Sequence, residues 1–406
     1  MKKIVCVLLC VVLILSLSAF LFGCNKIPRE ELLMIYMPGE YIDEDIFDDF
    51  SAWYEQETGK KITVQVKTFD AVENIPLAIG AKKDAYDLFC PSDYMVEYLI
   101  NEGMIRKVDK TIIDVEEEGL FLQSYLDDAK IYDPQLEYAV PYMYGTLGLV
   151  YDYSKTNKHI TSWESLFGNE FADNRSIKDS IRDAYAAACI YNARETLRGL
   201  EGATQKITIQ GVFEDFTTGT VNKAQQTLSA VLESAVWDVD NVKFEMADKD
   251  NNSSPAIALM WSCDAGYVMN TYEDANGREH DGNKNLWYVV PEEGGNVYID
   301  NFVINKYAVN VEAANYFLKF LCQKDIAVKN SEYAGCISPV AAAYEELLTS
   351  YTEDEELYED AAEGWKEMFL DMMFPSAATL NRCGVMRDYS SQEAKTRVVD
   401  MWGNIQ

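Results

Sequence analysis

Histidine is almost missing from this sequence of 406 residues: only His159 and His280 are present. Neither belongs to an H-E-x-x-H pair, which excludes a helix-borne zinc site of that kind and leaves a histidine-based nucleophilic triad few candidates. G-x-S-x-G and glycine-rich phosphate loops are also missing, as is any C-x-x-C pair or metal-ligand cysteine spacing. No cofactor and no metal are therefore expected. Basic residues are few, 35 against 67 acidic, and the formal net charge of −32 argues against nucleic acid or an anionic membrane surface as a partner. The same charge makes a soluble surface and attracts cations over distances that salt screens. Apolar residues are not scarce: at 48% hydrophobic, a chain of this length can bury the cores of two domains.

The N-terminus places Lys2 and Lys3 before a mostly apolar run from Ile4 to Phe22, followed by Gly23, Cys24, Asn25 and Lys26. A basic start, an apolar middle and a small residue before the break are the features of a secretory signal. A run of about nineteen residues also approaches the length of a membrane anchor. Leu21-Phe22-Gly23-Cys24 resembles the lipobox of bacterial lipoproteins, which implies cleavage before Cys24 and a diacylglycerol on its sulfur. The mature chain then loses Lys2 and Lys3 and is two units more negative. Of nine cysteines, Cys6 and Cys10 lie in the signal and Cys24 is the anchor. Export permits the remaining six to pair, yet Cys90, Cys189 and Cys322 sit in apolar runs, and buried free thiols are the expectation.

Leu32 to Met37 reads as a buried strand closed by Pro38-Gly39, and Ile46, Phe47, Phe50, Trp53 and Tyr54 recur at helical spacing before Gly59. Ile62, Val64 and Val66 alternate as a second strand. Strand, helix, strand implies a parallel pair with a right-handed crossover. Asp43, Glu44 and Asp45 suit the helix macrodipole. Glu40 and Tyr41 precede the helix on a turn at the carboxyl end of a strand, where open α/β sheets bind ligands. The pattern recurs at Tyr86 to Cys90, a short strand closing on Ser92, Asp93 and Tyr94 before a helix; the other reading of Ser92 or Asp93 is a cap of that helix.

The most informative stretch is Tyr298-Ile299-Asp300-Asn301. Residues two apart on a strand share a face, so Tyr298 and Asp300 can offer one ligand a ring and a carboxylate. That pair suits an organic cation, since the ring face attracts an ammonium and the carboxylate neutralises it.

The chain resembles the extracytoplasmic polyamine-binding proteins of spermidine/putrescine ABC importers, in the lipoprotein form of Gram-positive bacteria. The matching residues run in order from Gly39-Glu40-Tyr41 through Tyr86 to Glu97, Val140 to Tyr151, Asp179 to Asp183 and Trp261 to Ala265, ending at Pro291 to Asp300. The resemblance implies an α/β, two-lobed periplasmic-binding-protein-like fold of type II, each lobe a mixed sheet flanked by helices, with ligand in the cleft between them. It implies a signal peptide at 1–23, a lipidated tether at 24–31, one lobe from 32–140 and 301–345, and the other from 141–300 and 346–406. By carry-over, Asp300 is the leading ammonium contact, with Glu40, Asp183 and Asp93 next; Tyr41, Tyr94, Trp261 and Tyr298 form walls, and Ser92 is a hydroxyl acceptor. A local ion pair with Arg182 is the other reading of Asp183. Cys336 stands where a ligand-touching Tyr is often found, and Tyr298 where Trp is common. The implied partners are a polyamine, a membrane permease and, through Cys24, the outer face of the cell membrane, for a chain that works as a monomer. Another small cationic solute, a sensor role, or hydrolysis of a glycoside by paired acids are the alternatives.

Overall fold

The computed structural model describes residues 27–200, 202–238, 241–270, 272–273 and 278–405. The expected signal peptide and Cys24 lie outside the described residues. No helix among the described residues is long and apolar enough to cross a membrane.

Strand β1 (Leu32–Pro38) pairs in parallel with β2 (Thr63–Phe69) on one side and β3 (Leu88–Phe89) on the other. Helix α1 (Ile46–Thr58) makes the crossover, and Gly59 ends it in the left-handed conformation, φ +73°, that costs glycine little. The apolar run of β1 reads as a fully buried strand, but only Leu33, Ile35 and Met37 are buried; Leu32, Met34 and Tyr36 are half-buried on the other face. The core beneath α1 closes with α5 (Val311–Leu321), where Phe317 meets Phe50 edge-on with ring centroids 4.9 Å apart. Arg29, in the turn just before β1, bonds the fully buried Asp87 at 2.8 Å, and Asp87 also accepts from the backbone N–H groups of Met34, Val309 and Asn310.

Two long strands carry the architecture. β5 (Ala139–Asp152) and β10 (Gly295–Asn305) run antiparallel through the centre of one mixed sheet of eleven strands among the described residues. One half of that sheet holds β2, β1, β3 and β4 (Ile105–Arg106); β3 and β4 pair with the carboxyl end of β10. The other half holds β8 (Ile257–Trp261) beside β5, then β6 (Arg175–Lys178) and β7 (Val236–Asp238), with β9 (Leu286–Val289) on β5 and β11 (Cys383–Gly384) on β10. Helix α2 (Asp93–Asn101) follows β3, α3 (Ile181–Arg198) follows β6, and α4 (Ser262–Met269) follows β8.

At the junction of the halves the ladder slips. Asp300 pairs with Met143 and Asn301 with Pro141, so Tyr142 is an extra residue on β5. Such a bulge bends a strand and re-aims a side chain: the Tyr142 hydroxyl donates to the Tyr41 carbonyl at 2.8 Å. Asn301 is buried here and structural, donating to the Ile299 carbonyl and accepting from Tyr132 Oη.

Candidate ligand-binding cleft

The pairing directions bring four strand ends together. β1 and β3 run one way, β6 and β8 the other, and both sets point their carboxyl ends at the stretch where Asp300 faces Met143. Loops after strand ends are where α/β sheets collect ligand groups, and here two sets face each other across β5 and β10.

Asp300 is the centre. Its Oδ2 accepts from Tyr41 Oη at 2.7 Å and its Oδ1 from Ser92 Oγ at 2.6 Å. Both donors are neutral, so the carboxylate is hydrogen-bonded but not charge-compensated by them. Burial raises its pKa above the usual carboxylate range, and the two hydroxyls pull it part of the way back. Ser92 is the residue at the start of α2, yet it makes no side-chain cap; its hydroxyl is committed to Asp300 instead.

Asp93 lies behind this pair, 1% exposed. Its Oδ1 accepts from the Tyr94 N–H at 2.6 Å, and its Oδ2 has no hydrogen-bond partner. Burial, reinforced by the nearby Asp300, drives its pKa well up. Across the cleft, Asp183 is 5% exposed in the first turn of α3, its N–H capped by Ser180 Oγ. Its Oδ2 also lacks a hydrogen-bond partner, and burial raises its pKa against the pull of Lys178, Ser180 and Trp261. The expected alternative, a local pair with Arg182, is not what forms. The Arg182 guanidinium lies between the rings of Tyr94, 4.3 Å from its centroid, and Tyr389, at 4.6 Å, and donates to the Arg387 carbonyl.

The Trp261 and Tyr298 rings stand 6.2 Å apart, tilted by 56°. Tyr298 Oη and Cys263 Sγ are 2.8 Å apart. The hydroxyl rests over Gly145, where any Cβ would collide with it. Glu40 follows the first turn as expected; it is exposed, with φ +53°. Ser92, Asp93, Tyr94, Tyr41 and Asp300 thus gather on one side, and Asp183, Trp261 and Tyr298 on the other.

Several members carried no sequence signal. Tyr142 enters because of the bulge, and Arg182 and Tyr389 meet on Tyr94 from distant parts of the chain. Lys178 ends β6 with its Nζ 3.6 Å from the Trp261 centroid. Cys263 approaches Tyr298, and so does Cys336, at the position where the resemblance expects a ligand-touching Tyr. Burial and the neighbouring Cys263 thiol push the Cys336 pKa well up. All six cysteines among the described residues are free thiols, and all but Cys263 are buried.

The family model described as bacterial extracellular solute-binding protein matches residues 83–358, most of the chain, and the chain belongs to that family. It is 26% identical over 337 residues to the spermidine/putrescine-binding periplasmic protein of Salmonella typhimurium, covering 82% of this chain and 84% of that one. It is also 26% identical over 356 residues to the protein of the same name from Escherichia coli, covering 86% and 89%. The crystal structure of the spermidine/putrescine ABC transporter substrate-binding protein from Streptococcus pneumoniae superposes with a TM-score of 0.66 over 92% of this chain and 98% of that one, at 24% identity. The fold is the two-lobed type II periplasmic-binding-protein arrangement, and the chain is a solute-binding receptor.

Proposed function

We propose that this member of the extracellular solute-binding family captures a polyamine of the putrescine/spermidine class and presents it to the permease of an ABC importer, with no turnover of the ligand. One observation carries the reading: Asp300 is buried with only neutral hydrogen-bond partners, and Asp93 and Asp183 each keep a buried carboxylate oxygen without a hydrogen-bond partner. A buried carboxylate without a cation is costly, and a bound ammonium removes that cost. Tyr41, Tyr94, Trp261 and Tyr298 supply flat walls for methylene stems.

The ligand acts through closure. β5 and β10 cross between the halves near Pro141 and Asp300, so 32–140 with 301–345 and 141–300 with 346–406 move as two lobes about these strands. An amine held by Asp300 on one side and Asp183 on the other favours the closed form, because only that form makes both contacts. The chain acts as a monomer anchored by a lipid on Cys24, outside the membrane. Thermal unfolding of the soluble protein from residue 25 onward tests the assignment. Polyamines should raise the midpoint as their concentration exceeds the dissociation constant; no shift in a sample freed of carried-over amine overturns it.

A further inference from the structure

Two thiols meet in the cleft from opposite lobes. Cys263 is the second residue of α4, half-buried, with its Sγ 2.8 Å from Tyr298 Oη. Cys336 comes from the other lobe, in the turn after α6 (Lys324–Ala334), and is 1% exposed. Gly335, at φ +64°, turns the chain out of α6, and a Cβ built on it would lie 3.3 Å from Tyr267 Cβ, one turn along α4 from Cys263. Ile337, the residue after Cys336, accepts from the Tyr144 N–H at 3.1 Å. Pinned between these contacts, the Cys336 thiol is hydrogen-bonded to that of Cys263. The lobes also meet where Arg387 Nε donates to Glu97 Oε2 of α2 at 2.9 Å, so the cleft is closed in this structure.

We propose that Cys263 and Cys336 are a redox-active pair whose disulfide locks the closed cleft, with hydrogen peroxide as the oxidant. This rests on the two-lobe closure reading above. A disulfide needs its sulfurs about 2 Å apart, so two thiols already in hydrogen-bond contact need only a small shift. Cys263, the more accessible, attacks one peroxide oxygen; the O–O bond breaks, a sulfenic acid forms, and the thiol proton leaves with the second oxygen as water. The Cys336 sulfur then displaces the sulfenic hydroxyl, which takes the Cys336 proton and leaves as a second water. The two thiols lose two electrons and the peroxide gains them. Extracytoplasmic proteins work where such bonds persist. The bond joins one lobe to the other across the cleft, so the closed form can no longer open and a bound ligand is trapped.

For the test, wild type, C263S and C336S are reduced, stripped of amines, checked for folding by thermal unfolding and treated with hydrogen peroxide. Peptide mass mapping reads the bond between the peptides that carry Cys263 and Cys336, and wild type is expected to form it. Small-angle scattering of the amine-free protein should show a smaller radius of gyration after oxidation. Labelled putrescine should leave protein oxidised in its presence at least tenfold more slowly than reduced protein, and dithiothreitol should restore both values. In each variant peroxide should leave the radius and the release rate where they stood before treatment. Folded wild type that forms no bond between Cys263 and Cys336 overturns the proposal, as does a bond that changes neither radius nor release. Reduced wild type that binds no polyamine overturns the polyamine reading alone, and the scattering measurement then decides the lock.

Discussion

Replacing Asp300 by Asn separates charge from shape. Asn keeps the volume and one carbonyl acceptor, and the Tyr41 and Ser92 hydroxyls, now at 2.7 and 2.6 Å from Asp300, can turn to meet an amide. In the free protein the substitution should cost nothing. The Asp300 pKa is raised mainly by burial, so above that pKa its ionised form opposes folding, and the neutral amide removes that term. In the complex it removes the partner of a buried ammonium, a loss of about 3–5 kcal/mol. At about 1.4 kcal/mol per tenfold, this weakens the dissociation constant between about a hundredfold and a few thousandfold. Calorimetric titration measures the affinity and thermal unfolding of the free protein measures the fold. A folded D300N protein that loses less than tenfold in affinity refutes the assignment of Asp300 as the ammonium contact.

The pKa directions give a pH dependence. Asp93, Asp183 and Asp300 are all raised above the ordinary 3.8, so the free folded protein keeps protons that the unfolded chain has released. It should therefore lose stability as pH climbs from 3.8 through the raised values, while a bound ammonium favours the ionised forms, expels protons and loses affinity as pH falls. Titrations in two mildly acidic buffers of different ionisation enthalpy measure that release, and identical heats would contradict it. Gly145→Ala places a methyl group 2.6 Å from Ser262 Oγ and against Tyr298 Oη, so it should destabilise by about 1–3 kcal/mol in urea unfolding and weaken amine binding by displacing the ring. Asp87→Asn breaks a fully buried acceptor of Arg29 and three backbone N–H groups, and a loss of about 3–5 kcal/mol in denaturant unfolding is expected, with ligand affinity of the folded molecules unchanged.

Elements whose signal is local were readable from the sequence. The helical spacing from Ile46 to Tyr54, the stop at Gly59 and the alternation of β2 are set by neighbours in the chain. Candidate site residues were readable where they follow strand ends, as Tyr41 and Ser92 do, or share a strand face, as Tyr298 and Asp300 do, because both limit where a side chain can point. What stayed hidden depends on distant pairing. The bulge that brings Tyr142 to Tyr41 exists only when β5 and β10 are in register, and Lys178 stacks on Trp261 only because β6 and β8 are neighbours. A local pair of Asp183 with Arg182 is the alternative that adjacent positions suggest, but helix geometry turns the two side chains apart, and Arg182 finds Tyr94 and Tyr389 instead.

The central claim is that the cleft recognises paired ammonium groups through buried carboxylates. Calorimetric titration of amine-free protein with putrescine and with 1,4-butanediol, which has the same carbon chain and no charge, tests it most directly. The account expects saturable one-to-one binding of the diamine and no heat from the diol. Equal binding of the two, or binding of neither by a folded protein, would contradict it.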